Sequence, residues 1–480
     1  MKKSIIEGLV WNILSLFASK GFGFVVQIVL ARLLLPEHFG IVGMTVVFTN
    51  VIMVLGELGL AAALIQMKES KLENLHLSTA FLASIGINLI LYLITVALIA
   101  PFAVWFYDEP ILLSIISVTS IQIILKSIIV IPRVLLTREL DFKRINIIEI
   151  ISFFIAGVSA LLLAWKGAGV WSIVFMGLTN SLVSLPLFWS TVKWRPNLEF
   201  SKKAFNEIFQ NGVFDTLQRV FMSLTSNIDY LFIGKMVSAV SLGFYTLAFV
   251  ITDTFRQQIM SVLNKVLFPV FGKLQEDKVK IKKYYLKVVK LNCYFITPVM
   301  LVMIGFTEPI IVLLVGEEWL KAAFPIKAMA FSSIVHSVGG GTDAVLKGLG
   351  KFKLNFKVYS LKTLFITIPA FYIGIYYYGI NGAAVAVVLH KFISRVIFQI
   401  LMKRIVLISE LELFRAVVPA AIGASASVTL ILYYYYANIK DMFFTVVFII
   451  LSLLVYFLFS FRLISKEFKN IFEGKIQLSN

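Results

Sequence analysis

Charged residues are scarce in this sequence. Only 15% of its 480 residues are Asp, Glu, Lys or Arg, whereas 59% are apolar. An ordinary soluble domain contains about 25% charged and about 45–50% apolar residues. This composition excludes a disordered chain, and it leaves too few polar residues to cover the core of a soluble enzyme of several domains. The class that remains is a polytopic membrane protein.

Cysteine, histidine and nucleotide-binding motifs are also scarce or absent. The single cysteine, Cys293, excludes an intrachain disulfide, and its apolar surroundings favour a small buried residue. The four histidines are far apart and follow no metal-ligand spacing. No G-x-x-x-x-G-K-[ST] loop occurs, so the chain carries no ATP-hydrolysing module of its own. The sequence therefore predicts neither a metal site nor a cofactor.

Long apolar runs fill the sequence instead, and a membrane-spanning helix needs about 20 mostly apolar residues. We predict an all-α membrane protein with about fourteen transmembrane helices. The predicted spans lie at roughly 8–34, 40–66, 77–106, 110–131, 145–165, 168–191, 207–235, 240–264, 291–315, 322–346, 358–378, 381–402, 414–436 and 441–461. The longest connection, about 265–290, is basic and predicts an amphipathic helix at the membrane surface.

Acidic residues are outnumbered by basic ones, 26 to 44, which gives a formal net charge of +18. In a soluble protein, such a charge would suggest nucleic acid binding. Here most of the Lys and Arg residues between the predicted spans fall in alternate loops, on the side that also holds both termini. The positive-inside rule therefore places both termini in the cytoplasm. The charge is explained by membrane topology, and we expect no nucleic acid partner.

The sequence contains an internal repeat with an offset of 203 residues. At this offset Trp11–Leu14 aligns with Phe214–Leu217, and Gly40 aligns with Gly243. Spans one to six thus resemble spans seven to twelve, with the same membrane orientation, as in many alternating-access transporters whose site lies between the halves. A duplicated channel or membrane enzyme is the alternative. The predicted domains are an N-lobe at 1–200, a C-lobe at 201–408, and two additional helices with a cytoplasmic tail at 409–480.

Polar and charged side chains recur within the predicted spans, although a charge at the bilayer centre costs roughly 2.5–3.5 kcal/mol. Span seven carries such a stripe at helical spacing, and Asp253, Arg256 and Gln257 share a face of span eight. We interpret these residues as the lining of a wet cavity between the halves. The predicted substrate-binding residues are Lys20, Arg219, Arg256, Asn12 and Gln27. The predicted ion-binding or charge-balancing residues are Glu57, Asp215, Asp253 and Asp229.

The same charges have a structural alternative. Asp215 with Arg219, and Asp253 with Arg256, are close enough along their helices to form internal ion pairs that lock helices together. Further candidates at lesser depth are Lys126, Glu149, His336 and Asp343. Three cations nearer the span ends are predicted to reach toward the membrane surface, namely Lys362, Lys391 and Arg395.

The segment between the first two spans resembles a known family. Leu30-Ala31-Arg32-Leu33-Leu34-Leu35-Pro36-Glu37-His38-Phe39-Gly40, followed by Leu58–Leu60 and Ala63–Gln66, is similar to the corresponding stretch of the polysaccharide transporter family. Within it the chain resembles the Wzx-type flippases of the colanic acid and teichuronic acid type. These belong to the multidrug/oligosaccharidyl-lipid/polysaccharide superfamily. The motif covers about forty residues, whereas the span pattern extends over almost the whole chain.

The resemblance implies two six-helix lobes around a V-shaped cavity in a bacterial inner membrane. It also implies that undecaprenyl-pyrophosphate-linked oligosaccharides are flipped to the outer leaflet without covalent chemistry. Basic cavity residues would hold the pyrophosphate, matched here by depth to Lys20, Arg219 and Arg256. The membrane potential or an H⁺ or Na⁺ gradient would drive transport, and polysaccharide polymerase machinery is a possible partner. The alternatives are a multidrug or small-cation exporter of the same superfamily and, less favoured, a membrane glycan polymerase or ligase.

Overall fold

The computed structural model of this protein describes residues 21–57, 59–439 and 441–472, and these ranges contain helices and turns but no β-strand. Helices are the expected outcome, because a chain in hydrocarbon must satisfy every backbone N–H and C=O internally. The predicted all-α membrane fold is therefore confirmed. The chain divides into two compact units, residues 1–243 and 244–480.

The first unit contains ten helices and the beginning of an eleventh within the described ranges. They are α1 (Gly21–Leu33), α2 (Pro36–Glu57), α3 (Leu60–Gln66), α4 (Asn74–Ile94), α5 (Ala100–Tyr107), α6 (Ile111–Arg138), α7 (Phe142–Trp165), α8 (Trp171–Thr191), α9 (Lys202–Ser226), α10 (Ile228–Met236) and the start of α11 (Ala239–Lys273). A short π-helix, Thr95–Ile99, joins α4 to α5. The buried core of this unit lies between α3, α4 and α6 and includes Leu64, Ala80 and Ile131.

The second unit contains the rest of α11 and eight further helices in the described ranges. They are α12 (Lys278–Gly305), α13 (Thr307–Leu314), α14 (Ala323–Ser337), α15 (Thr342–Gly348), α16 (Phe352–Lys362), α17 (Ile368–Val406), α18 (Glu410–Tyr436) and α19 (Met442–Phe472). A π-helix, Thr363–Thr367, joins α16 to α17. The core of this unit is built around Tyr285 and Val289 of α12, against which Tyr456 of α19 packs.

Nine helical segments in the described ranges are long and apolar enough to cross a membrane, and two shorter apolar helices accompany them. Each of the fourteen predicted spans overlaps at least one helix, but the number fourteen stays a prediction. One reason is that the stretch 352–406 is continuous in helical hydrogen bonding, although Gly379 at φ 55° and ψ −135° divides it. Another is that helix breaks shorten several spans below the length of a bilayer crossing.

The basic segment at 265–290 differs from its prediction. It forms the end of α11 and the start of α12, joined by a short turn, and not a separate helix at the membrane surface. Asp277 caps α12, because its carboxylate accepts a hydrogen bond of 2.9 Å from the Lys280 N–H. This bond favours the charged carboxylate and lowers the pKa of Asp277 below its ordinary value.

Two glycines allow the beginnings of α2 and α11 to cross in close contact. A methyl group on Gly40 would overlap the carbonyl of Ala239, and one on Gly243 would overlap the carbonyl of Pro36. Pro36 and Ala239 are separated by the same 203 residues as Gly40 and Gly243. Repeat-related positions therefore contact each other reciprocally, as a local twofold relation requires.

The lobe boundaries at 200 and 408 stay a prediction. They rest on sequence similarity between the repeats, whereas the compact units reflect packing. The helices α9 and α10, which the repeat assigns to the C-lobe, pack against α2 within the first unit, and α9 also contacts α3 and α4.

Candidate functional site

The first unit encloses a cavity of about 770 Å³ among its membrane-spanning helices. Helices α2, α6, α7 and α9 contribute charged side chains to its wall, and Asn88, Asn180 and Ser181 add polar groups. Charged groups placed in apolar helices are retained where they face water, a partner or a ligand. The charged residues of the wall are Glu57, Lys126, Arg133, Glu149 and Arg219.

A break in the second span positions Glu57 at this cavity. Glu57 is the last residue of α2, and Gly59 at φ 67° starts the short helix α3. A left-handed backbone of this kind costs glycine little, whereas most residues avoid it. The Asn88 amide donates to the Gly56 carbonyl over 3.0 Å and so satisfies a backbone acceptor beside the break. Discontinuous helices of this kind often carry the binding sites of transporters.

Two ion pairs cross the cavity wall. Arg219 Nη1 donates to Glu57 Oε2 over 2.5 Å and links α9 to α2. Arg133 Nη2 donates to Glu149 Oε1 over 2.6 Å and links α6 to α7. Each acid is thus paired with a cation from another helix. The pairing of Arg219 with Asp215 on its own helix stays a prediction, because the side chain of Asp215 lies outside the described residues.

Lys126 is the cation of this wall that contacts a sulfur atom and not an acid. Its ammonium lies 3.7 Å from the Met53 sulfur, and no ion pair within 4.0 Å joins it to a carboxylate of the described residues. The wall therefore carries three cations and two acids. Arg133 was missed by sequence reasoning because it falls in a predicted loop. The spacing in the sequence could have found it. Arg133 follows Lys126 by seven residues, and two helical turns place both side chains on one face of α6.

A second charged cluster lies inside the second unit. Both carboxylate oxygens of Asp253 accept from the Arg256 guanidinium, over 2.8 and 2.9 Å, and Gln257 donates to Oδ2 over 2.8 Å. Lys391 Nζ of α17 donates to Oδ1 over 2.8 Å. The predicted shared face of Asp253, Arg256 and Gln257 is present, and it holds α11 to α17 through Lys391.

The prediction that Lys391 and Lys362 reach toward the membrane surface is wrong. The Lys391 side chain is only 13% exposed and its ammonium is held by Asp253. Lys362 is 6% exposed, and its ammonium lies 5.0 Å from the ring centroid of Tyr359. Position along the chain was a poor guide to depth, because α16 and α17 form one long broken helical stretch.

The predicted site residues fall into four groups. Glu57 and Arg219 line the cavity of the first unit, and Asp253 and Arg256 form the cluster of the second unit. Gln27 is exposed on α1, and Asp229 is buried at the start of α10, where its carboxylate accepts from the Tyr230 N–H over 3.0 Å. Lys20, Asn12 and the side chain of Asp215 lie outside the described part of the structure.

The first-unit cavity has the chemistry of a reversible oxyanion site. A guanidinium presents two N–H groups to two oxygens, and an ammonium acts as a compact point charge beside it. The acids keep the arginine side chains in place when no ligand is bound. Across the described ranges, no group of three His, Cys, Asp or Glu side chains is arranged to hold a metal ion.

Known proteins resemble this chain over most of its length. A family model described as polysaccharide biosynthesis protein matches residues 29–324. The lipopolysaccharide biosynthesis protein WzxC of Escherichia coli (strain K12) is 25% identical over 418 residues, which cover 85% of this chain and 82% of that protein. The succinoglycan biosynthesis transport protein ExoT of Rhizobium meliloti (strain 1021) is 24% identical over 351 residues, which cover 73% and 70%.

A solved structure shares the fold. The lipid II flippase MurJ in an inward closed conformation superposes with a TM-score of 0.73 over 96% of this chain and 99% of that chain. The sequences are 15% identical, so this likeness concerns the arrangement of helices alone.

Proposed function

This chain belongs to the family of polysaccharide biosynthesis proteins, as its second span and the segment before it predicted, and from that premise we propose that it is a flippase. Its substrate is an undecaprenyl-pyrophosphate-linked oligosaccharide repeat unit. The protein moves this unit from the cytoplasmic to the outer leaflet of a bacterial inner membrane, for assembly into a cell-surface polysaccharide. The proposal includes two cytoplasmic termini and no covalent chemistry.

The observation that carries this proposal is the charged cavity within apolar membrane helices. A glycan cannot cross hydrocarbon unaided, because its hydroxyl groups would lose their hydrogen bonds to water. A polar cavity opened alternately to each side replaces that water. The lipid tail is apolar and needs no polar cavity, so it stays in the bilayer.

The excess of cations in the wall supports an anionic headgroup. Three cations against two acids favour a pyrophosphate over a cationic drug, which would require an acidic wall. In this scheme the pyrophosphate contacts Lys126 first and then displaces Glu57 from Arg219. The released carboxylate is a suitable acceptor for H⁺ or Na⁺, so substrate binding and ion binding are coupled at one residue. Handover to polysaccharide polymerase machinery would follow at the outer leaflet.

The experiment deletes the gene from its host and restores it as the wild-type, Arg219→Ala, Lys20→Ala or Arg144→Ala form. Arg144 is the matched control, because it pairs with Asp141 at the start of α7, outside the cavity. We expect lipid-linked glycan to accumulate on the cytoplasmic leaflet with Arg219→Ala and Lys20→Ala but not with Arg144→Ala, at equal protein levels. Normal export by the Arg219 and Lys20 variants would refute the cavity role. Efflux of a cationic dye that Asp253→Asn abolishes, at an equal level of folded protein, would instead support a drug exporter.

A further inference from the structure

We propose that the second unit binds a chloride-sized anion at the break between α14 and α15, through Arg395 and Asn292. The two side chains come from α17 and α12 and approach the break from different helices. This site is separate from the Asp253 cluster and does not depend on the proposed flippase activity.

The break itself is a run of three glycines within the span predicted at 322–346. Helix α14 ends at Ser337 and α15 begins at Thr342, with Gly341 at φ 91° between them. Irregular backbone at membrane depth is tolerated where protein encloses it or where it lines a polar site. Broken membrane helices are also where transporters tend to place ion sites. The break is therefore a suitable position for an ion site.

The side chains of Asn292 and Arg395 pack directly against this break. A methyl group on Gly340 would overlap the Asn292 amide, and a methyl group on Gly339 would lie 3.2 Å from Cδ of Arg395. Successive Cα atoms are about 3.8 Å apart, so the two side chains approach neighbouring points of one turn. Glycine at these positions makes room for polar side chains from two other helices.

Several buried polar atoms here have no hydrogen-bond partner within the described part of the chain. Asn292 is completely buried, and neither its Nδ2 nor its Oδ1 is bonded. The enclosed Nη1 of Arg395 is likewise unpartnered. A buried polar group without a hydrogen-bond partner destabilises the folded state, so such groups favour a bound ligand. Two of these three atoms, Asn292 Nδ2 and Arg395 Nη1, can donate, so the missing ligand is an acceptor.

The charge of Arg395 identifies that acceptor as an anion. Its Nη2 donates to Gln399 Oε1 over 3.0 Å, which is a neutral partner. Lys391 lies one helical turn earlier, and its charge is met by Asp253. Among the acids whose side chains the structure describes, none forms an ion pair within 4.0 Å of Arg395. A half-buried cation with an enclosed N–H group, beside a second cation, favours a bound anion over bridging water.

The available contacts favour a single small ion. The far side of the turn is closed by a hydrogen bond of 3.1 Å between the Tyr285 and Thr342 hydroxyls, and Val288 packs against Gly341. A pyrophosphate or sugar would have to displace these groups, whereas chloride accepts N–H and O–H donors from any direction. Asn292 Oδ1 is left to a water beside the ion.

The test measures thermal unfolding of the purified full-length protein in sodium chloride, sodium bromide and sodium gluconate at equal ionic strength. A ligand that binds only the folded state raises Tm with its concentration. We expect wild-type protein to unfold at least about 3 °C higher in chloride or bromide than in gluconate. The shift should disappear in Arg395→Gln and Asn292→Ala. It should persist in Arg404→Gln, the matched control at the exposed end of α17.

Two outcomes would overturn the proposal. Equal Tm of the wild-type protein in all three salts would mean that water occupies the site. A chloride shift that survives in Arg395→Gln or Asn292→Ala would mean that chloride binds elsewhere. If Arg395→Gln does not fold, the test rests on the Tm of Asn292→Ala and on bromide anomalous scattering in crystals of the wild-type protein. Absence of an anomalous peak beside Asn292 would contradict the site.

Discussion

The crossing of α2 and α11 provides the sharpest structural prediction. Replacing Gly40 or Gly243 by alanine places a methyl group on a backbone carbonyl of the opposite helix, Ala239 or Pro36. A side chain could rotate out of the way, but a carbonyl within a helix start cannot. The two helices must therefore separate or the substituted helix must bend.

The magnitude follows from two opposing effects. Alanine improves helix propensity over glycine by about 1 kcal/mol in a helix interior. Overpacking a close contact costs about 1–3 kcal/mol, and overlap with backbone lies at the upper end of that range. We expect a net destabilisation of about 2 kcal/mol for either Gly40→Ala or Gly243→Ala. The double variant should lose less than the sum, because the first methyl group already separates the helices.

The assay is the unfolding midpoint of the purified variants in detergent. Gly86→Ala is the matched control, because Gly86 lies within α4 and an added methyl group would meet nothing within 4 Å. Its midpoint should stay equal to that of the wild type or rise, whereas those of the Gly40 and Gly243 variants should fall. An unfolding midpoint of Gly40→Ala as high as that of Gly86→Ala would refute the close crossing. Strict additivity of the double variant would refute the reciprocal contact.

Two further predictions concern charges that hold helices in place. Arg138 Nη1 donates to the carbonyls of Leu64 and Met67 over 2.6 and 2.8 Å, so Arg138→Gln should free the end of α3 at a cost of about 1–3 kcal/mol. Faster alkylation of an introduced Ile65→Cys would report this release, and an unchanged rate would contradict it. Asp253→Asn leaves Arg256 and Lys391 without their shared carboxylate, and loss of one partner of a buried pair costs about 3–5 kcal/mol. Its unfolding midpoint should fall well below that of Glu318→Gln, an exposed loop control, and equal midpoints would show that the carboxylate is dispensable.

The family and the helical membrane architecture could be predicted from the sequence because both depend on local features. Apolar runs long enough to cross a bilayer specify helices, since hydrocarbon offers the backbone no other partner. Spacing of three and four residues placed Asp253, Arg256 and Gln257 on one face, and the structure has them in one network. The offset of 203 residues paired Gly40 with Gly243, which meet the opposite helix in equivalent ways.

Only the tertiary structure decided which helices are neighbours. Arg219 pairs with Glu57 across 162 residues, and Lys391 pairs with Asp253 across 138. Periodicity in the sequence specifies which side of each helix is polar, but not which helix packs against that side. The remaining surface of most of these helices is apolar and packs equally well against lipid or protein. The breaks at Gly59 and Gly341 have the same origin. A glycine permits a left-handed turn, but the side chains packed around it determine whether the helix ends there.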